Sequence, residues 1–248
     1  MRPSAWLICV FCLLGSPLLA QSAAVGLYAE GNGLYRVGDY EGARQRYEAA
    51  VATGAQDPRL LYNLANATYK TGDLGRAIVW YERALRLAPR DEDIQANLRF
   101  LRRLKKDRDP DPTSGIGGVL ERAFMWPTLN ELALAWMVSL LACFATVSWR
   151  RWQGQSSLHS SVLGCAAVAL FVALVAFTRF EADAGRIEAV VTEVQGIARS
   201  GPDGQETEVF VIHEGTKVVV ERSEGTWHLV RLDSGLGGWL PSEVITKI

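Results

Sequence analysis

Two long apolar runs dominate the hydropathy pattern of this 248-residue chain. Leu132–Trp149 and Val162–Phe177 contain no charged residue. As a helix, the first run would be about 27 Å long, close to the roughly 30 Å hydrocarbon layer of a bilayer. A buried helix normally keeps a polar stripe, whereas these runs are apolar all round. We therefore predict a transmembrane hairpin, with spans at residues 131–149 and 161–178. Small residues such as Ala142 and Ala169 favour close packing of the spans, although these alanines could instead face lipid.

The flanking charges predict how the hairpin is oriented. A short loop with two arginines, residues 150–160, is expected to stay in the cytoplasm. Residues 1–22 combine an arginine, an apolar stretch and small residues, which is typical of a signal peptide. An uncleaved signal anchor would give the same orientation. Both soluble parts are then expected in the periplasm, with the chain held in the inner (cytoplasmic) membrane of a bacterium.

Residues 23–106 repeat with a period of 34. Gly38-Asp39 recurs as Gly72-Asp73, and Tyr47-Glu48 recurs as Tyr81-Glu82. This period, with apolar residues at helical spacing, predicts a tetratricopeptide solenoid of two repeats and a capping helix, Glu92–Lys106. We expect glycine at 38 and 72 to end the first helices and Asp57 to cap the next one. Because three repeats are the usual minimum, further support from the cap, the membrane or a partner is expected.

Residues 23–106 resemble the tetratricopeptide consensus at twelve positions: Gly31, Gly38, Ala43, Tyr47, Ala50, Leu64, Ala65, Gly72, Ala77, Tyr81, Ala84 and Pro89. The resemblance implies a groove lined by the first helix of each repeat. Its candidate partner-binding residues are Tyr28, Asn32, Tyr35, Asn63, Asn66, Tyr69, Lys70 and Asn97. Asparagine offers a donor and an acceptor to a peptide backbone, although the asparagines could instead bridge neighbouring helices.

The family's carboxylate clamp is only partly matched. Asn32 and Asn63 agree with it, but its basic positions fall on Tyr28, Asp93 and Asn97. An internal segment or a helix of a partner is therefore a better expected ligand than a C-terminal carboxylate.

Residues 185–248 change to a period of two. Five strands are predicted: Ala189–Val194, Glu208–Ile212, Lys217–Glu221, His228–Leu232 and Val244–Ile248. The phrases around Arg199-Ser200-Gly201-Pro202 and Gly238-Trp239-Leu240-Pro241 resemble the bacterial SH3-like (SH3b) family, which implies a small all-β barrel. Trp227 and Trp239 are its candidate ligand surface, although the Gly-Trp pair of such barrels more often packs the core.

Charge and chemistry narrow the possible functions. Residues 187–248 carry 5 Lys and Arg against 10 Asp and Glu, which argues against nucleic acid as a ligand. The soluble parts contain no cysteine, and none of His159, His213 and His228 belongs to a recognisable catalytic or metal-binding pattern. We predict no catalytic site, no metal and no cofactor.

The linker, residues 107–130, includes Ile116–Trp126, which is either an interfacial amphipathic helix or a plain connector.

The chain is thus expected to be multidomain: an all-α tetratricopeptide solenoid, a two-helix transmembrane hairpin and an all-β SH3-like barrel. This order resembles the BatE-type proteins of the Bacteroides aerotolerance operons. The resemblance implies a non-enzymatic membrane scaffold that works with von Willebrand A-type membrane proteins and a MoxR-type ATPase. The alternative is a protein that binds or senses peptidoglycan through the SH3b domain.

Overall fold

A computed structural model of the chain describes residues 22–108, 127–154 and 160–248. The predicted signal peptide, apart from its last position, and the segment Ile116–Trp126 lie outside the described residues. The chain forms two compact units. One unit combines the N-terminal helices with the residues from Ile187 to Ile248, and the other contains the two apolar helices.

Five helices form the N-terminal region: α1 (residues 22–36), α2 (Tyr40–Ala52), α3 (Pro58–Lys70), α4 (Leu74–Leu87) and α5 (Glu92–Leu104). An aspartate side chain caps each of the last four, which satisfies backbone N–H groups that a helix leaves unpaired. The predicted cap at Asp57 is confirmed. Gly38 and Gly72 have φ values of 86° and 93°, so the predicted left-handed helix ends are confirmed as well.

Small residues and two tyrosines pack these helices together. The alanines of the repeat pattern, Ala43, Ala50, Ala77 and Ala84, are completely buried. Tyr47 and Tyr81 are also buried, each in the core of its own repeat. A Cβ atom at Gly31 would lie 2.5 Å from the Tyr47 ring, so only glycine lets α1 approach α2 this closely. The residues that repeat every 34 positions are therefore residues of the packed core.

Two long helices, α6 (Leu129–Trp152) and α7 (Ser160–Ala184), form the second unit. Both are longer than the predicted spans, and both are long and apolar enough to cross a membrane. Most of their apolar side chains are exposed, as expected for helices whose outer surfaces face lipid. Thr128 and Glu131 form a reciprocal capping box at the start of α6.

The two apolar helices pack against each other. Their less exposed positions recur at three- and four-residue spacing: Leu132, Ser139, Cys143 and Thr146 in α6, and Cys165, Ala169, Val172 and Ala176 in α7. Ala169 is buried, in agreement with the expected close packing. Ala142 is exposed, so the expectation is wrong for that residue.

Replacing Ala169 with leucine should weaken the pairing of α6 and α7. Extra methylene groups in a packed contact typically cost about 1–3 kcal/mol. Ala142→Leu adds the same groups to an exposed face and is the matched control. The temperature at which the detergent-solubilised chain aggregates measures the difference. Equal losses in both variants would contradict this helix contact.

Residues Ile187–Ile248, the C-terminal domain, form an antiparallel sheet. Its strands are β1 (Ile187–Val191), β2 (Gln195–Arg199), β3 (Glu208–His213), β4 (Lys217–Glu224), β5 (Trp227–Arg231), β6 (Gly237–Pro241) and β7 (Ile245–Lys247). They are ordered β3-β2-β6-β5-β4-β1-β7. A core of apolar residues lies within this domain, including Val191, Ile212, Val218, Val230 and Leu240.

The domain has seven strands, whereas the sequence predicts five. The additional strands are β2 and β6, and both contain glycine at a tightly packed position. A Cβ atom at Gly196 would lie 2.6 Å from Val244 Cγ1, and one at Gly238 would lie 2.9 Å from Ala198 Cβ. Close packing therefore requires glycine at these positions. An apolar side chain there would have contributed to the alternating pattern from which a strand is predicted, so the sequence pattern does not predict β2 and β6.

Helix α4 packs against β1 and β7, so the repeats and the C-terminal domain share a core. Val190 of β1 is completely buried in the same apolar cluster as Ile78 of α4. Two glycines permit this approach. A Cβ atom at Gly75 would lie 2.8 Å from the Val191 carbonyl oxygen, and one at Gly215 would lie 2.7 Å from Ile78 Cδ1. The C-terminal domain and α5 thus cover the core that two repeats alone would expose.

Charged side chains connect the same elements. Glu188 of β1 lies 3.0 Å from an Arg86 nitrogen and 2.8 Å from Lys217 Nζ. The buried Glu82 pairs with Arg102 and lies 3.6 Å from Lys217 Nζ. Two cations therefore compensate the carboxylate of Glu82, which would be costly to bury alone.

Asp107, three residues after α5, makes a second connection to the C-terminal domain. Its Oδ2 accepts hydrogen bonds from the His213 backbone N–H at 2.7 Å and from the Thr216 hydroxyl at 3.0 Å. Its Oδ1 lies 2.9 Å from His213 Nδ1. Burial alone would raise the pKa of Asp107, but the hydrogen bonds from His213 and Thr216 lower it below the ordinary value of 3.8.

Candidate functional site

Asparagine and tyrosine side chains form a hydrogen-bonded cluster in the first repeat. The Tyr47 hydroxyl donates to Asn32 Oδ1 at 2.8 Å. Asn63 Nδ2 donates to the same oxygen and to the Tyr28 hydroxyl, both at 3.0 Å. The cluster therefore joins three consecutive helices: α1, which carries Tyr28 and Asn32, then α2 and α3. We call these four residues cluster 1.

An equivalent cluster follows one repeat later. Tyr62, Asn66, Tyr81 and Asn97 each lie 34 residues after a member of cluster 1. The Tyr81 hydroxyl donates to Asn66 Oδ1 at 2.5 Å. Asn97 Nδ2 donates to the Tyr62 hydroxyl at 3.0 Å and to the Tyr81 hydroxyl at 3.1 Å. This set, cluster 2, joins α3, α4 and α5.

The hydroxyls of Tyr47 and Tyr81 remain protonated donors at physiological pH. Burial, assisted by the neighbouring Tyr28, raises the pKa of Tyr47 to about 12. Burial also raises the pKa of Tyr81 well above its ordinary value of 10.0. A hydroxyl that donates must face the amide oxygen of the asparagine. Asn32 and Asn66 therefore direct Oδ1 into their clusters.

One half of each asparagine amide is left for another molecule. Among the residues that the structure describes, Nδ2 of Asn32 and Asn66 and Oδ1 of Asn63 and Asn97 have no protein hydrogen-bond partner. All four side chains are partly accessible. Each cluster thus presents one unpaired donor and one unpaired acceptor, which is what a peptide group needs from a binding site.

A concavity of about 220 Å³ lies over cluster 1. It is lined by Asn32, Tyr35, Arg36, Tyr47, Asn63 and Asn66. The structure thereby brings together four of the residues predicted to bind a partner. Aromatic rings continue alongside it: Tyr35 packs against Tyr40 with ring centroids 5.0 Å apart, and Tyr69 packs against Phe100 at 6.0 Å. Lys70 Nζ lies 5.8 Å from the centre of the Tyr40 ring.

The sequence-based selection of site residues missed Tyr62 and Phe100. Tyr62 lies 34 residues after Tyr28, and Phe100 lies 34 residues after Asn66. The repeat period could therefore have identified both. The asparagines do bridge neighbouring helices, as the alternative interpretation expects. Each asparagine also keeps one unpaired amide atom that a partner could bind, so the predicted binding role stays a prediction.

The two candidate tryptophans of the C-terminal domain differ in accessibility. Trp239, on β6, is only 8% exposed and lies opposite Leu229 of β5. Trp227, at the start of β5, is partly accessible. Trp239 therefore offers little ring surface on which a sugar could stack.

The histidines of the C-terminal domain take part in hydrogen bonds within the protein. His213 contacts Asp107, and His228 Nδ1 lies 2.7 Å from Ser223 Oγ. Burial, together with the charge of Lys247, lowers the pKa of His228 below 6.5. Within the described ranges no group of three His, Cys, Asp or Glu residues could hold a metal ion. His159 lies outside those ranges.

Tyr81→Phe should lower the free energy of unfolding by about 1 kcal/mol. The substitution removes the hydroxyl that donates to Asn66 Oδ1 and accepts from Asn97 Nδ2, but it preserves the buried ring. Tyr40→Phe is the matched control, because no hydrogen bond of the Tyr40 hydroxyl is present in the described structure. Urea unfolding of the two variants measures the difference, and equal midpoints would contradict a stabilising role of cluster 2.

Comparison with known proteins identifies the helical region. Residues 28–92 match the tetratricopeptide repeat family. A solved structure described as the first TPR of Spaghetti (RPAP3) bound to HSP90 peptide SRMEEVD matches with 20% identity and a TM-score of 0.20. The match covers 34% of this chain and 95% of that one. No curated protein matched the chain. The N-terminal region is therefore tetratricopeptide-like, and such repeats indicate a protein-interaction scaffold.

Proposed function

We propose that this protein is a non-enzymatic, membrane-anchored adaptor that binds a segment of a partner protein in its repeat groove. The observation that carries the proposal is the repetition of clusters 1 and 2, each with an unpaired amide donor and acceptor. A peptide backbone supplies the complementary groups irrespective of its side chains. The apolar helices α6 and α7 would anchor the chain in the membrane.

The groove and the C-terminal domain use different parts of the helical region. The unpaired amide groups belong to α1, α3 and α5, whereas the C-terminal domain packs against α4. A ligand in the groove therefore need not displace the C-terminal domain. This separation supports an adaptor with two surfaces that can be occupied at once.

The C-terminal domain is proposed to be an SH3-like (SH3b) barrel. The proposed partners are von Willebrand A-type membrane proteins and their MoxR-type ATPase. The motif phrases of residues 198–202 and 238–241 and the order of the modules, which resembles BatE-type proteins, support these assignments. Peptidoglycan binding by this domain is the alternative. Its acidic charge and the burial of Trp239 favour the adaptor.

Both soluble parts are proposed to lie in the periplasm, on the same side of the inner membrane. An exported N-terminus followed by two spans requires this arrangement. Protease added to spheroplasts should then digest both the repeats and the C-terminal domain. Intact cytoplasmic marker proteins provide the control. Digestion of one part while the other is protected would contradict the hairpin.

Photo-crosslinking in intact membranes tests the binding function. A photoreactive phenylalanine analogue at Tyr69 should capture a protein, whereas the same analogue at Val37, which is 78% exposed outside the helices, should not. Asn66→Asp, which keeps the oxygen that accepts from Tyr81 and replaces the unpaired donor with an acceptor, should abolish the adduct from position 69. Equal capture from both positions, or none, would overturn the adaptor. Retention of the full chain on purified sacculi without any adduct would support the wall-binding alternative.

A further inference from the structure

We infer that the groove ligand is a polyproline II segment in which a non-proline residue recurs every third position. This inference rests on the proposed function and specifies the ligand class of the same site. It follows from three properties of the groove: each cluster has one unpaired donor and one unpaired acceptor, the two clusters lie a fixed distance apart, and aromatic rings lie beside them.

Each cluster presents an unpaired donor and an unpaired acceptor on two asparagines of the same hydrogen-bond network. In cluster 1 these are Asn32 Nδ2 and Asn63 Oδ1, and the two side chains are hydrogen-bonded to each other at 3.0 Å. In cluster 2 the corresponding atoms are Asn66 Nδ2 and Asn97 Oδ1. One ligand residue with a free C=O and a free N–H can satisfy each cluster. A helical ligand could not, because its backbone groups are already paired within the helix.

The spacing of the clusters selects among extended conformations. Hydrogen bonds between their side chains join α1 to α3 and α3 to α5, so successive first helices are neighbours. Neighbouring helices have axes about 8–10 Å apart. Three residues of polyproline II advance about 9.3 Å and return the backbone to the same orientation. Three residues of a β-strand advance a similar distance, but the third faces the opposite side.

Aromatic rings border this path at the same period. Tyr35 lines the concavity over cluster 1, and Tyr69 lies one repeat further along. Burial raises the pKa of Tyr35, which keeps its ring a neutral phenol. Such rings suit the flat apolar faces of prolines, and aromatic-lined grooves commonly bind polyproline II segments. Prolines therefore belong between the residues that reach the clusters, since proline has no N–H to offer Asn63 or Asn97.

Peptide binding to the full-length protein in detergent tests this inference by fluorescence anisotropy. The first probe is a labelled twelve-residue peptide of four Ala-Pro-Pro units. The second has the same composition, arranged so that no two alanines are three residues apart. The third is an amphipathic helical peptide of equal length. The first should bind most tightly, because only its alanines can reach both clusters together.

Asn66→Asp should weaken binding of the first peptide by about tenfold or more. The aspartate keeps the oxygen that accepts from Tyr81 but replaces the unpaired donor with a second acceptor. Asn130→Asp makes the same chemical change at an exposed site on α6 and should leave binding unchanged.

Each result distinguishes this inference from the proposed function. Equal binding of the two proline peptides, or tighter binding of the helical peptide, overturns the polyproline inference while groove binding stands. Failure of all three peptides alongside successful crosslinking at Tyr69 has the same meaning. Failure of the peptides together with failure of crosslinking overturns the proposed function too.

Discussion

Gly75→Ala should loosen the C-terminal domain from the repeats, although alanine normally stabilises a helix by up to about 1 kcal/mol relative to glycine. The added Cβ would lie 2.8 Å from the Val191 carbonyl oxygen and 2.9 Å from Thr192 Cα. Both atoms belong to the backbone, so β1 must move away from α4. Overpacking of this kind costs about 1–3 kcal/mol. Hydrogen exchange of the β1 amides, measured by mass spectrometry, should become correspondingly faster.

Gly26→Ala is the matched control for this substitution. Gly26 lies in α1, is exposed, and has no atom within 4 Å of the position that a Cβ would occupy. Substituting alanine for glycine at this position should stabilise the helix modestly. The two variants are thus expected to change stability in opposite directions. A gain in both would contradict the close contact between α4 and β1.

Asp107→Ala should lower the free energy of unfolding of the combined unit by about 1.5–3 kcal/mol. It removes a carboxylate that accepts from the His213 backbone and the Thr216 hydroxyl. The two donors would then be left unpaired in a partly buried contact. Urea unfolding followed by intrinsic fluorescence measures the loss, with Asp203→Ala, on an exposed loop, as the control.

The contribution of Asp107 should also depend on pH. Its pKa is lower in the folded protein than the ordinary 3.8, because His213 and Thr216 stabilise the carboxylate against the opposing effect of burial. The unfolded chain therefore binds the proton more readily. The stabilisation is complete above pH 3.8 and is lost as the pH falls through the lowered folded value. Asp107→Asn should lose this dependence, and an unchanged acid-unfolding profile in that variant would contradict the assignment.

Much of the candidate site could be read from the repeat. The period of 34 identifies the helices that line the groove and selects all four asparagines. It does not reveal which half of each amide is free, because that depends on hydrogen bonds from Tyr47 and Tyr81, which lie on neighbouring helices. Those partners are determined by how the helices pack, and no local pattern specifies them.

The sequence by itself determined the elements whose causes are local. Aspartate caps, glycine at helix ends and unbroken apolar runs act within a few residues of the chain, so the helices and the membrane-length segments are visible in composition and period. The tertiary structure alone decided the contact of α4 with β1 and the hydrogen bonds of Asp107 to His213, residues 106 positions apart. It also decided β2 and β6, where packing requires glycine. Such contacts depend on the complementary shapes of surfaces that meet only after each element has formed.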